Sequence, residues 1–305
     1  MPGLTMRRIH ADLLLVLAAV VWGVAFVFQK TAMGYIGPFL FIAARSAVAV
    51  LVLVPFAYRE GRGTGRIVPP GLLPIATLSG AAFFTGAAFQ QIGLVTATAT
   101  NAGFLTALYV VFTPFLVWLA FGRAPVWIVW PAVALSFVGT WLLGGGTLSA
   151  FGSGDLLIAI SAFFWAAHVV TVSRASRLAR PVTFTTIQFS IVGALGLAGA
   201  LLFEPISLAA IAAAWREIAY VGLLSSALTF TLLAIAVKYT PPTEAAIIVS
   251  SETLFAALAA YLMLGERLSL VGWCGAGLIL GAVLLVQTGP VLIRSGQRRS
   301  NPTSH

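Results

Sequence analysis

Glu252 is the one carboxylate in a long apolar stretch, AAIIVSSETLFAALAAYLML at residues 245–264. An ionisable side chain in such surroundings is costly to bury, and it usually faces a cavity or an opposite charge. The chemistry that suits it is the binding and release of a proton or of a substrate cation. The alternative is a neutral carboxyl group that is hydrogen-bonded for helix packing.

His168 and Arg45 interrupt two other apolar stretches. At 1.5 Å per helical residue, Glu252 and His168 lie about 13 Å and about 10 Å from the same membrane face, so His168 is the predicted helper of Glu252. Three roles are open to Arg45. It pairs with Glu252, it receives a substrate carboxylate with its forked guanidinium group, or it extends outward to satisfy carbonyl groups at a helix end.

Aromatic and uncharged polar residues complete the candidate site. Trp22 and Trp165 lie near the middle of their stretches, although tryptophan in membrane helices prefers the interfaces. They either line a cavity for flat, apolar or cationic ligands or make simple packing contacts. Tyr109 has a polar tip, while Gln90 and Asn101 flank a junction where capping of a loop is the alternative role. The residues predicted to bind substrate are Trp22, Arg45, Gln90, Asn101, Tyr109 and Trp165.

The other reactive residues give no support to an enzyme. The three histidines, His10, His168 and His305, are dispersed along the chain. The single cysteine, Cys274, excludes a disulfide framework and a cysteine metal site. The sequence contains no phosphate-binding loop of the kind that would indicate ATP use. The sequence therefore predicts no catalytic residues, no metal and no cofactor.

The composition is that of a membrane protein. Of the 305 residues, 60% are hydrophobic and 8% are charged, whereas a soluble domain carries about 25% charged residues. The net charge of +9 comes from scattered basic residues rather than from the clustered face that nucleic acid requires. We therefore predict an all-α integral membrane protein with no nucleic-acid partner.

Ten apolar segments approach the length of about 20 residues that a spanning helix requires. Their apolar runs are continuous rather than alternating, which favours helices over a β-barrel. The predicted spans are 12–30, 38–57, 72–91, 98–121, 126–146, 155–173, 183–203, 217–237, 243–264 and 270–288.

The basic residues between the spans predict the orientation. With the N-terminus inside, thirteen of the seventeen lysines and arginines fall on the cytoplasmic side, three fall outside, and Arg45 lies within a span. Both termini are therefore predicted to be cytoplasmic, in a multi-pass protein of the cell (inner) membrane.

The chain contains an internal duplication. A shift of 143 residues superimposes the halves without a gap, and it aligns Asp12 with Asp155, Trp22 with Trp165, Gly122 with Gly265, and Tyr109 with Glu252. Because each half holds an odd number of spans, the second copy enters the membrane inverted, as in alternating-access transporters. A duplicated scaffold without transport is the alternative. We assign residues 1–146 to the first five-helix repeat, 147–289 to the second, inverted repeat, and 290–305 to a basic cytoplasmic tail that is predicted to be disordered.

Four stretches resemble the EamA-type transporters of the drug/metabolite transporter superfamily: AVVWGVAFVFQK at 19–30, FIAARSAVAVLVLVPF at 41–56, AVKYTPPTEAAIIVSSETLFAALAAYLMLGERLS at 236–269, and GWCGAGLILGAVLLV at 272–286. The resemblance implies a central cavity lined by the first four helices of each half, with the fifth and tenth helices outside it. Two features depart from the family pattern. FGRAP in the first copy stands opposite LGERL in the second, and Thr253 stands where a proline often follows the glutamate.

The resemblance implies a secondary active transporter that exports small amphipathic metabolites, such as amino acids, by alternating access. Efflux of lipophilic cations or drugs is an alternative within the same class. A non-transporting membrane scaffold or a lipid-handling protein is an alternative of another class. The expected partners are a small-molecule substrate, protons as the candidate coupling ion, and membrane lipids. The residues by themselves predict neither the substrate, the direction of transport, the coupling ion nor the oligomeric state.

Overall fold

The computed structural model describes residues 8–62, 66–122, 124–143, 152–267 and 269–300, with the backbone alone at 143 and 286–300. The chain is helical wherever it has regular structure in these ranges. The α-helices are α1 (Arg8–Ala32), α2 (Pro38–Arg62), α3 (Leu72–Gly93), α4 (Ala99–Thr106), α5 (Tyr109–Phe121), α6 (Val129–Leu143), α7 (Ser153–Ser176), α8 (Pro181–Phe203), α9 (Leu208–Ala213), α10 (Trp215–Tyr220), α11 (Thr229–Ala236), α12 (Pro242–Val249), α13 (Glu252–Leu264) and α14 (Leu270–Ser300). A π-helix, Val221–Leu228, joins α10 to α11.

Eight helical segments among the described residues are long and apolar enough to cross a membrane. They correspond to the predicted spans except the fifth and the tenth, which are represented by the shorter apolar helices Val129–Leu142 and Leu270–Leu285. The all-helical membrane architecture is therefore confirmed, while the count of ten spans stays a prediction.

The last helix extends into the segment that is predicted to be a disordered tail, and the tail stays a prediction. The backbone of α14 continues as a helix to Ser300, although the polar composition after residue 290 predicts a disordered tail. Extending an existing helix costs far less than starting one, so a polar sequence can continue it. Residues 301–305 of the predicted tail lie outside the described residues.

Two predicted spans are not continuous helices. The fourth divides into α4 and α5 at Ala107 and Leu108, and the ninth divides into α12 and α13 at Ser250 and Ser251. Both are turns tightened by hydrogen bonds between residues three apart, such as the Val110 amide to the Ala107 carbonyl and the Thr253 amide to the Ser250 carbonyl. The two turns are 143 residues apart, the same shift that aligns the halves of the sequence.

Side chains explain the turn in the second copy. The hydroxyl groups of Ser250, Ser251 and Thr253 each donate to the carbonyl oxygen three residues earlier, at 2.7–2.9 Å. Such bonds compete with the regular helical pattern and bend helices. Both divided spans then end alike, because Gly122 and Gly265 adopt left-handed conformations with φ of 66° and 73°.

Helices α2 and α8, which are related by the repeat, cap each other with carboxylates. Glu204, which follows α8, accepts the Phe39 and Leu40 amides at the start of α2, both at 2.8 Å. Glu60, near the end of α2, accepts the Val182 and Thr183 amides at the start of α8, at 3.2 and 2.7 Å. The end of each helix therefore lies beside the start of the other, so the pair is antiparallel.

The residues at the N-termini of α2 and α8 favour capping by these carboxylates. Pro38 and Pro181 occupy the first helical positions, where the missing amide hydrogen costs nothing. The anionic caps then satisfy free amides and oppose the positive end of each helix dipole. A Cβ atom on Gly37 would overlap the Glu204 carboxylate, so this glycine leaves room for the cap.

We expect Glu204→Ala to destabilise the protein by about 1–2 kcal/mol, because two amides at the start of α2 lose their acceptor. Glu204→Gln should cost less, since one amide oxygen can still accept. Reversible unfolding in detergent micelles would measure both changes. Glu217→Ala is the matched control, because Glu217 accepts one hydroxyl bond, from Thr31. A Glu204→Ala protein as stable as this control would contradict the capping role.

Candidate functional site

A cavity lies between the two halves of the chain. The side chains that line it come from α1 to α5 in the first half and from α7, the π-helix, α11, α12 and α13 in the second. Among the described residues, α6 and α14 contribute nothing to its walls and pack on each other, with Gly139 against the Gly275 carbonyl. The sequence-predicted residues that line the cavity are Trp22, Arg45, Gln90, Tyr109, Trp165, His168 and Glu252.

Glu252 is the first residue of α13, directly after the tightened turn, and it is 5% exposed. No ion pair in the described part of the chain includes it. The Tyr109 hydroxyl lies beside its carboxyl group, without the geometry of a hydrogen bond. Tyr109 is likewise the first residue of α5. The repeat-related residues that follow the two turns therefore meet in the cavity.

His168 has a different partner from the one predicted. Its Nε2 atom lies 2.9 Å from the Gln188 amide oxygen, which also accepts the Ser79 hydroxyl at 2.9 Å. The amide oxygen is an acceptor only, so with Gln188 in this orientation Nε2 is the donor of the bond. Within the described residues there is no hydrogen bond between His168 and Glu252. His168 and Glu252 both line the cavity, as residues at similar depths can. However, α7 is rotated so that the imidazole of His168 points towards α8.

Arg45 is 4% exposed, and its hydrogen-bond partner is the Gln29 side-chain oxygen, 3.3 Å from Nη1. The guanidinium group also lies over the rings of Phe41 and Phe83, at 5.7 and 5.9 Å from their centroids. The predicted alternative of a pair with Glu252 is not present among the described ion pairs, which join Arg8 to Asp12 and Glu244.

The aromatic wall of the cavity is centred on Phe230. The ring centroid of Phe230 lies 4.7 Å from Trp22, 4.8 Å from Phe83, 5.5 Å from His168 and 6.3 Å from Trp165. The two tryptophans therefore both contact Phe230, and through it they belong to one continuous apolar surface. Trp22 also donates its indole N–H to the Ser225 carbonyl in the π-helix, at 2.9 Å.

Gln90 and Asn101, the uncharged candidates, have different positions. Gln90 lines the cavity and donates to the Thr106 hydroxyl at 2.7 Å. Asn101 is not among the residues that line it, and its contact with substrate stays a prediction. Its side-chain amide donates instead to Asp155 at 3.2 Å, and its backbone amide is capped by Thr98. Asn101 lies in the first turn of α4, and that turn packs on the start of α7.

The bond between Asn101 and Asp155 has a counterpart at the start of α1. Asp12, the repeat mate of Asp155, accepts the Thr240 hydroxyl at 2.7 Å, and Arg8 pairs with Glu244, the repeat mate of Asn101. The aspartate in the first helix of each copy is therefore bonded near the start of the divided span of the other copy.

Sequence reasoning missed Phe83, Phe230, Gln29 and Thr106. Gln29 carried a usable signal, because an amide in an apolar span needs a partner. The two phenylalanines carried none, because phenylalanine is common in apolar spans and its type does not distinguish a cavity wall from a lipid contact.

The chain is similar to known proteins in sequence and in fold. The model of the EamA-like transporter family matches the chain twice, at residues 9–145 and 152–288, which are displaced by 143 residues. An uncharacterized transporter of Archaeoglobus fulgidus is 33% identical over 293 residues, which cover 92% of this chain and 86% of that protein. A second uncharacterized transporter of that organism is 29% identical over 275 residues, 84% and 89% of the two chains. One crystal structure with 19% identity shares the fold, with a TM-score of 0.74 over 92% of this chain and 96% of the other.

Proposed function

The chain belongs to the EamA-like transporter family, and from that premise we propose that it is a secondary active transporter that exports small amphipathic metabolites, such as amino acids, by alternating access. Family membership and the apolar helices make it an integral membrane protein. The proposal adds that it lies in the cell (inner) membrane as two inverted repeats with both termini in the cytoplasm.

The cavity between the two family repeats is the observation that carries this proposal. Tyr109 and Glu252, which line it, directly follow the two tightened turns at repeat-related positions. Interrupted helices at corresponding places in two halves are a mark of substrate sites in transporters built from repeats. Tight turns of this kind inside a longer helix often act as hinges. Movement of α5 and α13 about these turns changes the side to which the cavity opens.

Glu252 is the proposed proton- or cation-binding group. It is a carboxyl group without an ion-pair partner among the described residues, in a cavity whose exposure changes during transport. Moving a carboxyl group between dry and wet surroundings changes its affinity for a proton. If the substrate also contacts Glu252, then binding of substrate and binding of a proton influence each other reciprocally. His168, bonded to Gln188, belongs to the same wall.

Efflux of lipophilic cations is the second candidate, and the aromatic wall favours it. Trp22, Phe230 and Trp165 line the same cavity as Glu252, and the faces of aromatic rings attract cations. Under this alternative, the substrate cation itself replaces the proton on Glu252.

Counterflow in proteoliposomes tests the proposal. Vesicles loaded with an unlabelled candidate should accumulate the same radiolabelled compound from outside, because a transporter exchanges solute without net flux. Amino acids should exchange if the first candidate is correct, and tetraphenylphosphonium should exchange if the second is correct. Protein-free vesicles control for leakage. Exchange of neither class across a broad metabolite panel would favour a non-transporting scaffold.

We also predict the topology from the thirteen-to-three distribution of loop lysines and arginines. A reporter fused after Gly146 should give a periplasmic signal, and a reporter fused after Gln297 should give a cytoplasmic one. Paired phosphatase and fluorescent-protein fusions at each site would measure this. A periplasmic C-terminus would contradict the proposed ten-helix arrangement.

A further inference from the structure

We propose that Arg45 forms a carboxylate-binding subsite within the cavity, so that the substrates carry a carboxylate group. This inference rests on the proposed function, because it names the chemical class that the same cavity takes. It favours acidic or zwitterionic solutes over lipophilic cations.

One edge of the Arg45 guanidinium group has no hydrogen-bond partner. Nη1 donates to Gln29, whereas Nε and Nη2 are buried without a hydrogen-bond partner. In the guanidinium group, Nε and Nη2 form one side, with two parallel N–H bonds. Such a pair of donors matches the two oxygens of a carboxylate. The free edge therefore has the geometry for one bidentate anion.

The charge on this edge has no counterion among the described residues. An arginine stays protonated under all ordinary conditions, and an unpaired charge in a membrane interior is costly. No ion pair among the described residues includes Arg45, and its described contacts are Gln29 and two aromatic rings. An anionic ligand would supply the missing partner, and it would bind more tightly because the arginine is already desolvated.

The repeat indicates that the scaffold does not require an arginine here. The residue 143 positions later is Gln188, whose uncharged amide oxygen bonds to Ser79 and His168. The second copy therefore holds its equivalent helices together with a neutral side chain. The first copy differs by a fixed positive charge that lines the cavity.

The surroundings of Arg45 suit an amphipathic acid. Phe83 lies beneath the guanidinium group and also contacts Trp165 and Phe230, so an apolar body extending from the carboxylate meets the aromatic wall. On α1, Gln29 holds Arg45 and Gly23 contacts the Glu252 backbone. These two residues are six positions apart, or about 9 Å along the helix. The subsite is thus displaced from Glu252 along the cavity.

Binding of four matched probes to the purified protein tests the subsite. They are 3-phenylpropionate, its uncharged amide, phenylalanine and phenethylamine, measured by calorimetry and by ligand-induced thermal shift. We expect both carboxylates to bind the wild type more tightly than the uncharged amide. Arg45→Gln, which installs the residue of the second copy, should weaken carboxylate binding by at least about tenfold. Arg45→Lys should bind the carboxylates with an affinity between those of the wild type and Arg45→Gln, because lysine keeps the charge but lacks the forked pair of donors.

Arg216→Gln is the matched control, since it removes an exposed guanidinium group that lies over Trp215, outside the cavity. It should leave every affinity unchanged. Size-exclusion profiles and ligand-free melting temperatures show whether the Arg45 variants fold. Failure of both carboxylates to bind the wild type, or an equal affinity for 3-phenylpropionate and its amide, would overturn the subsite.

The transport function and the Arg45 subsite are contradicted by different results. Arg45-dependent carboxylate binding without any counterflow would leave the subsite standing and remove the transport function. Counterflow of amines, with carboxylate binding that does not depend on Arg45, would leave transport standing and remove the subsite.

Discussion

Replacement of Glu252 with glutamine should reduce gradient-driven transport to the level of protein-free vesicles. Glutamine nearly preserves the volume of a protonated glutamic acid, but it can neither release a proton nor attract a cation. A cycle that moves protons on this group therefore cannot be driven by a proton gradient. Uptake of a counterflow substrate into proteoliposomes, with and without an imposed pH gradient, would measure the loss.

The pattern of loss identifies the role of the carboxylate. Counterflow that survives in Glu252→Gln, with no response to pH, indicates a proton-coupling group, and loss of both activities indicates a contact with substrate. Glu217→Gln is the control, because Glu217 is outside the cavity lining and bonds to Thr31. Normal gradient-driven transport with an unchanged pH profile in Glu252→Gln would show that the carboxyl group is structural.

Replacement of Gly23 with alanine should destabilise the protein by about 1–3 kcal/mol, because it forces an extra methyl group into a closed contact. Helix α1 approaches the start of α13 so closely that a Cβ on Gly23 would lie 2.7 Å from the Glu252 carbonyl oxygen and 2.7 Å from the Ala256 nitrogen. Backbone atoms cannot rotate away as a side-chain end can. Either the helices separate or Glu252 moves, so transport should decline together with stability.

Gly281→Ala is the matched change for this prediction. It also adds one methyl group to a glycine in an apolar helix, but a Cβ there meets nothing within 4 Å. The change should stay within about 1 kcal/mol of the wild type and on the stabilising side, because alanine is the better helix former. Unfolding in detergent would compare the two variants. A Gly23→Ala protein as stable as Gly281→Ala would contradict the close approach of α1 and α13.

The sequence alone was sufficient to predict the class of protein and its internal duplication. A chain with 60% hydrophobic and 8% charged residues cannot cover itself with a water-soluble surface, so composition determined the membrane environment. The shift of 143 residues predicted a duplication, and the family model matches twice at that displacement. Glu252, His168 and Arg45 were visible as candidates because the cost of burying an ionisable group depends on its immediate surroundings, which the sequence displays.

The tertiary structure decided which of these residues share a cavity and which partners they have. Helices that are apolar on every side have no hydrophobic face that would fix their rotation. The sequence therefore could not show that Asn101 bonds to Asp155, that His168 bonds to Gln188, or that one edge of Arg45 is free. The capping of α2 by Glu204 and of α8 by Glu60 could not be predicted from the sequence for a related reason. Each carboxylate stabilises a helix more than a hundred residues away, and only the packing of α2 against α8 makes them neighbours.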